Sequence, residues 1–336
     1  MDSKDMLPGR RCPLHYRYAP SRIACEPDVA ADTVYIVGGL YGNRSALEAL
    51  LDIAARETGP VTLVFNGDFN WFNIDAETFS AINTTVLRHV ALRGNVETEI
   101  ANDDESTDCG CAYPEWVSDE EVERSNAISQ RLRATAQRFP QLRAALARLP
   151  MYAAVRVGGV RVGTVHGDVH ALAGWRYAQE CLRGEQERAA IANDFTESGC
   201  RIIASTHTCL PVAVDCATAE GRCVLINNGA AGMPNFRDTR YGVITRVALA
   251  PARHVTALYA ARLGNVVIEA LPLHYDHERW SSDFLGNWPA GTPAYQSYFR
   301  RITQGPRYEL NEAVRWRTDC GAPHENKHSI TERVGI

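Results

Sequence analysis

The chain has 336 residues, 45% of them hydrophobic, and 35 basic against 40 acidic side chains give it a net charge of −5, a composition that suits a globular protein with a sizeable core. Only Lys4 and Lys327 are lysine and both sit near an end, every other basic residue being arginine, which argues against chemistry needing an interior lysine, such as a Schiff base or a phosphate-binding P-loop. The mild acidity gives no footprint for nucleic acid, no run of about 18 apolar residues is there to span a bilayer, and Met1–Pro20 is polar and charged where a secretory signal is apolar, so a cytoplasmic location is expected.

In chain order, Val34–Val37 is a short β-rich run broken by Gly38-Gly39, and Ser45–Arg56 carries helical apolar spacing through Leu47, Leu50, Leu51 and Ala54. Val61–Phe65 predicts a second buried strand ending in Asn66-Gly67-Asp68, Asp75–Ile82 a helix, and His89–Leu92 a third strand ending in Arg93-Gly94-Asn95. Residues 98–117 read as an irregular insertion and Ser118–Leu149 as a helical pair broken at Pro140. Tyr152–Val157 and Val160–Val165 flank Gly158-Gly159 as a hairpin whose second strand runs into His166-Gly167-Asp168-Val169-His170. Short strands continue at Ile202–Ala204, Val212–Val214, Cys223–Ile226 and Val243–Ala250, and from Leu271 the chain, richer in Trp, Tyr and Pro, reads as an extension packed on the main domain. Strands alternating with helices predict an α/β layered fold with its site at the strands' carboxyl ends. The ten cysteines form no paired CxxC knuckles, so free thiols are expected. Cys109-Gly110-Cys111 is the one close pair, either two loop thiols or a redox or metal feature.

Five polar clusters fall at these strand ends: Gly38-Gly39-Leu40-Tyr41-Gly42-Asn43, Asn66-Gly67-Asp68, Arg93-Gly94-Asn95-Val96-Glu97, Val165-His166-Gly167-Asp168 and Ser205-Thr206-His207-Thr208-Cys209-Leu210-Pro211. In that order they resemble the five motifs of the calcineurin-like metallophosphoesterases, which run as GDxHGN, GD, GNH, an isolated H and GHxH. Asn227-Asn228-Gly229-Ala230-Ala231-Gly232-Met233-Pro234 resembles the NPGSVGxPR turn of the small bacterial phosphodiesterases in that superfamily. The resemblance runs from about Val34 to Val247. It implies a four-layer α/β/β/α sandwich over residues 33–270 with an insertion and helical pair at 98–150, an N-terminal extension at 1–32 and a C-terminal extension at 271–336.

Carried over position by position, the resemblance makes Asp68 the bridging aspartate and adds Asn95, His166 and His207 as the other ligands of one metal. The second metal loses three ligands, whose positions hold Gly39, Tyr41 and Cys209, unless Tyr41 and Cys209 rebuild it. The motif-three histidine that helps protonate the leaving group is replaced by Val96. Asp168 could orient a histidine and His170 could supply the missing proton. Cys209 is either a thiolate ligand or an inert buried thiol, and Tyr41 a phenolate ligand, a substrate contact or packing. Phe69-Asn70-Trp71-Phe72, with Trp175 and Tyr177, offers a stacking surface or core. Arg44, Arg93 and Arg237 lie nearest the motifs in sequence as phosphate clamps.

The expected function is hydrolysis of a phosphoester, a phosphodiester or nucleotide-like small molecule, with one divalent manganese, iron or zinc ion per chain. Two rivals stand beside it: a metallophosphoesterase-like protein that binds a phosphorylated ligand or a protein without turnover, and a mononuclear metal enzyme with redox or lyase chemistry. The expected partner is a phosphorylated small molecule, with neither nucleic acid nor membrane. The 98–117 insertion and the C-terminal extension could each form a lid or a homo-oligomer interface.

Overall fold

The apolar runs of the sequence are continuous rather than alternating because their strands are covered on both faces. A computed structural model describes residues 8–102 and 108–316. The rest, residues 1–7, 103–107 and 317–336, which include Lys4, the middle of the insertion, Cys320 and Lys327, lie outside the described residues. The strands are β1 (Asp28–Ala30), β2 (Thr33–Val37), β3 (Val61–Asn66), β4 (Val90–Leu92), β5 (Tyr152–Val157), β6 (Val160–Val165), β7 (Ile202–Ser205), β8 (Val212–Thr218), β9 (Gly221–Asn227), β10 (Gly242–Ala248), β11 (Tyr259–Leu263) and β12 (Val266–Leu273). They form two six-stranded sheets, ordered β11-β12-β10-β2-β3-β4 and β1-β5-β6-β7-β9-β8.

Alternate side chains of one strand go to different layers. Val34 and Ile36 of β2 and Val64 of β3 meet Val162, Ile202, Ala204, Val224 and Ile226 between the sheets. On the outer face of the first sheet, Tyr35, Val37, Leu63 and Phe65 meet Leu47, Leu50 and Phe79 of the helices Arg44–Ala55 and Ala76–Val86. On the outer face of the second, Ile203, Cys223 and Leu225 pack with Ile23 and Phe195, from the helices Pro20–Ala24 and Ala192–Ser198. The result is the four-layer α/β/β/α sandwich. Strands β2, β3 and β4 run parallel, as do β6, β7 and β9, and their carboxyl ends carry the polar clusters.

Asn43 shows how one of those clusters is fixed. Its buried side chain caps the helix Arg44–Ala55 by accepting from Ala46 N at 2.9 Å, and its Nδ2 donates to Gly232 O at 3.0 Å. Asn43→Ala leaves both groups without that partner and is expected to cost about 1–2 kcal/mol, read from the urea midpoint at unchanged slope.

The extra segments converge on the same end. The helical pair is Asp119–Ala136 and Pro140–Ala147, and the C-terminal region contributes His277–Asn287 and Pro293–Gln304. Arg124 Nε donates to Ser297 Oγ at 2.7 Å and Trp288 Nε1 to Phe72 O at 2.9 Å, so the two segments hold each other and the core. Where residues 98–117 read as irregular from the start, the chain first forms a helix, Asn95–Ala101. It shows no apolar stripe because it is buried nearly all round, its carboxylates included: Glu97 accepts backbone N–H groups and Glu99 pairs with Tyr16 Oη at 2.5 Å and Arg133 Nη2 at 2.6 Å.

Candidate metal centre

Asp68, Asn95, His166 and His207 leave the ends of β3, β4, β6 and β7, and all four are buried. The turn after β3 needs its glycine: Gly67 has φ +81°, and a Cβ there would lie 2.5 Å from Gly94 N and 2.6 Å from His166 Nδ1. Asp68 follows in the left-handed region as well, at φ 53°, which turns its carboxylate toward the histidines. His166 Nε2 is 3.3 Å from Asp68 Oδ2, 3.2 Å from Asn95 Oδ1 and 3.2 Å from His207 Nδ1. Ligands about 2.1 Å from a tetrahedral ion lie roughly 3.4 Å apart, so the spacing fits a cation at their centre. Among the described residues, Asp68, His166 and His207 are the one group of His, Cys, Asp and Glu side chains whose donor atoms gather this closely, all within 4.8 Å of one another.

Each donor is aimed by a partner on its far side. His166 Nδ1 donates to Asn66 O at 2.8 Å, which leaves the lone pair on Nε2 facing inward. His207 Nε2 donates to Cys111 O at 3.0 Å, which leaves Nδ1 facing inward. Asn95 Nδ2 donates to Cys109 O at 3.0 Å, so its Oδ1 is the inward atom, and Asp68 Oδ1 accepts from Val96 N at 3.1 Å, leaving Oδ2. The Cys109-Gly110-Cys111 loop therefore orients two donors through its carbonyls, while its own thiols lie 2.6 Å apart to one side. Conserving these orientations is what outer partners of a metal site do.

The electrostatics agree. Burial and the neighbouring His166 hold His207 down to about 4, so it is neutral and able to donate its lone pair. Burial opposes the charges of Asp68 and His166, but their mutual attraction outweighs it, lowering the carboxyl and raising the imidazole. Glu97 has no role among the sequence expectations. It is fully buried beneath the site, accepting from Asp68 N at 2.7 Å, Gly94 N at 3.0 Å and Asn70 N at 3.1 Å, and burial, then the charge of Asp68, push it up to about 7. It braces the two turns that carry Asp68 and Asn95.

No family model matches the chain, and no curated protein matches it in sequence. In structure it is similar to hypothetical protein PH1004 from Pyrococcus horikoshii OT3, with TM-score 0.54 and 17% identity over 83% of this chain and 100% of that one. It is likewise similar to a metallophosphoesterase from Sphaerobacter thermophilus, with TM-score 0.52 and 16% identity over 82% of this chain and 100% of that one. The chain has the metallophosphoesterase fold.

At the positions that the sequence resemblance assigns to a second metal, this metallophosphoesterase fold holds protein groups bonded to one another. Tyr41 Oη and Cys209 Sγ are hydrogen-bonded at 2.8 Å, and burial raises both groups above their ordinary values, keeping phenol and thiol neutral. A Cβ at Gly39 would lie 2.5 Å from Tyr41 Cε1 and 2.8 Å from its Oη, so the ring occupies the space of the missing aspartate. Tyr41 and Cys209, which the resemblance sets at second-metal ligand positions, thus hold each other as neutral groups. Tyr41 and Cys209 are both held with left-handed backbone, at φ 54° and 65°, at a cost of about 1–2 kcal/mol each.

Beside the donors the metallophosphoesterase fold opens a cleft of about 200 Å³, lined by Tyr41, Asp68, Trp71, Asn95, Val96, Cys111, Tyr113, Val117, Glu121, Trp175, His207, Thr208, Cys209, Tyr298 and Arg301. The insertion and the C-terminal extension thus both wall the site. Trp71 and Trp175 face the cleft, while Phe69, Phe72 and Tyr177 belong to the core.

Other sequence candidates lie elsewhere. Asp168 is buried and spends its carboxylate on the N–H groups of His170 at 2.8 Å, Ala171 at 3.0 Å and Arg176 at 3.3 Å. That turn swings His170 away, its ring half exposed and 3.2 Å from Asp194, so neither residue lines the cleft. Arg44 pairs with Glu48 and Glu77 at 3.1 Å each, Arg93 donates to Ala147 O at 3.3 Å, and Arg237 pairs with Glu309 at 2.8 Å. None of the three lines the cleft; Arg301, which sequence proximity could not suggest, does.

Proposed function

We propose that the protein is a metal-dependent hydrolase of small phosphoesters that works with one divalent ion held by Asp68, Asn95, His166 and His207. The observation that carries this is the convergence of four inward lone pairs, each oriented by a backbone group behind it. An ion bound there supplies positive charge for a phosphoryl oxygen and makes hydroxide available near neutral pH. The chain's own residues do the rest: Trp71, Tyr113 and Trp175 shield one side of the cleft from water, and Val96 offers no proton. A substrate whose leaving group departs without protonation suits such a site, and a volume of about 200 Å³ is below the roughly 300–1,000 Å³ of sites for drug-sized ligands.

Metal analysis of the purified protein with hydrolysis of bis-p-nitrophenyl phosphate tests the proposal. One ion per chain with turnover is expected, and neither ion nor turnover overturns it. The filled second position and Val96 favour a second reading, a protein that binds a phosphorylated ligand without hydrolysing it; one bound ion and phosphate binding without turnover would select that reading.

Because the carboxylate of Asp68 raises His166 above its ordinary value, a proton competes with the ion for Nε2. The proton is fully bound below that raised value and lost above it, so metal affinity weakens as the pH is lowered through this window. Protein dialysed at about pH 8 is expected to keep its ion and protein dialysed at about pH 5 to lose it, checked by elemental analysis of the retentate.

A further inference from the structure

We infer that Arg301 is an anion-binding residue of the cleft, taking phosphoryl oxygens on the side where Tyr41 and Cys209 close the second metal position. The inference rests on the proposed reading of the site and adds the group that replaces its missing positive charge. Arg301 belongs to the helix Pro293–Gln304, one turn beyond Tyr298, and both side chains line the cleft with Asp68 and His207. Its Nη2 donates to Cys209 O at 2.7 Å and its Nε to Pro234 O at 3.2 Å. These two carbonyls fix the plane of the guanidinium against the closed position, and they use two of its five N–H groups.

What the carbonyls do not supply is a counter-charge. Among the described residues no carboxylate pairs with Arg301, whereas Arg44, Arg124, Arg176, Arg237, Arg246 and Arg279 each have one. Of the two carboxylates that share its cleft, Asp68 faces His166 Nε2 at 3.3 Å and Glu121 is engaged by Arg124 Nη2 at 2.8 Å, and the same Arg124 reaches Ser297 on the helix of Arg301. A partly buried, oriented guanidinium with N–H groups to spare and no carboxylate is a receptor for a planar or tetrahedral oxyanion. Its carbonyl contact to Cys209 ties it to the spot where a two-metal relative would carry its other cation. The ligand class is therefore a phosphoryl group with at least two free oxygens, one for the metal side and one for Arg301.

Isothermal titration of inorganic phosphate into the full chain, manganese-loaded and chelator-dialysed, tests this with Arg301→Met and Arg301→Lys. Arg301→Met is expected to take up manganese as the wild type does and to bind phosphate about tenfold or more weakly in both states, with Arg301→Lys between the two. Arg301→Met binding phosphate within about twofold of the wild type, or wild-type protein that binds none in either state, overturns the inference. If Arg301→Met does not fold, Arg301→Gln is judged by the same criterion. Failure of the hydrolase proposal shows separately, as absent manganese uptake and absent turnover in the wild type, while the phosphate titrations still decide the role of Arg301.

Discussion

Asp68→Asn is expected to yield a folded protein that carries no divalent ion and hydrolyses bis-p-nitrophenyl phosphate at least about a hundredfold more slowly than the wild type. The reason lies in which oxygen is already committed. Oδ1 accepts from Val96 N at 3.1 Å, so the amide of the variant keeps its carbonyl there and turns its NH₂ to the position of Oδ2, which faces His166 Nε2 at 3.3 Å. A donor then stands where an ion needs a lone pair, and the one negative charge among the four donors is gone. His207→Ala, which removes one donor without inserting another group, should show the same loss. Circular dichroism confirms folding, elemental analysis counts the ion, and initial rates give the activity. Unchanged ion content and rate in both variants would remove Asp68 and His207 from the metal centre.

Restoring the missing aspartate of the second position, Gly39→Asp, is expected to destabilise the protein by about 3 kcal/mol rather than to recruit an ion. The new Cβ would start 2.5 Å from Tyr41 Cε1, and Tyr41 is 2% exposed and hydrogen-bonded to Cys209, so the ring has nowhere easy to go and the carboxylate is buried beside it. Adding Tyr41→His removes the ring that collides. The double variant should recover about 1–2 kcal/mol relative to the sum of the single changes, measured as a coupling energy in a thermodynamic cycle from urea unfolding. Adding Cys209→His as well should raise the metal content to two ions per chain. A Gly39→Asp variant as stable as the wild type would show that Tyr41 leaves its place readily and that the second position is open.

Much of the architecture and the candidate donors Asp68, Asn95, His166 and His207 were legible in the residues, because a side chain at a strand end is flanked by turn residues with geometric demands. Asn66-Gly67-Asp68 and Arg93-Gly94-Asn95 announce themselves through glycines that the close approach of two turns requires. Adjacency misled where the chain bends: His170 is four residues from His166 yet faces Asp194, since Asp168 closes an intervening turn. It misled again for Arg44, Arg93 and Arg237, near the motifs in sequence but paired or bonded elsewhere. The carbonyls of Cys109 and Cys111 could not be read at all, because a backbone oxygen carries no residue identity. Arg301 looks in sequence like any basic residue on an amphipathic helix. The hairpin of β11 and β12 is absent from the sequence expectations, although Leu263-Gly264-Asn265 lies between its apolar runs with Gly264 at φ +62°.

Cys111 O accepts both from His207 Nε2 and, at 2.9 Å, from Trp175 Nε1, and the Trp175 ring stands edge-on to that of His207 at 5.3 Å. A single peptide unit thus joins the proposed metal ligand His207 to the Trp175 wall of the cleft. His207 and Trp175 are held by the same carbonyl, so ordering of the one is expected to be coupled to ordering of the other. Ion and organic ligand should consequently strengthen each other's binding by the same factor, a reciprocity that thermodynamics imposes on any two sites joined in this way.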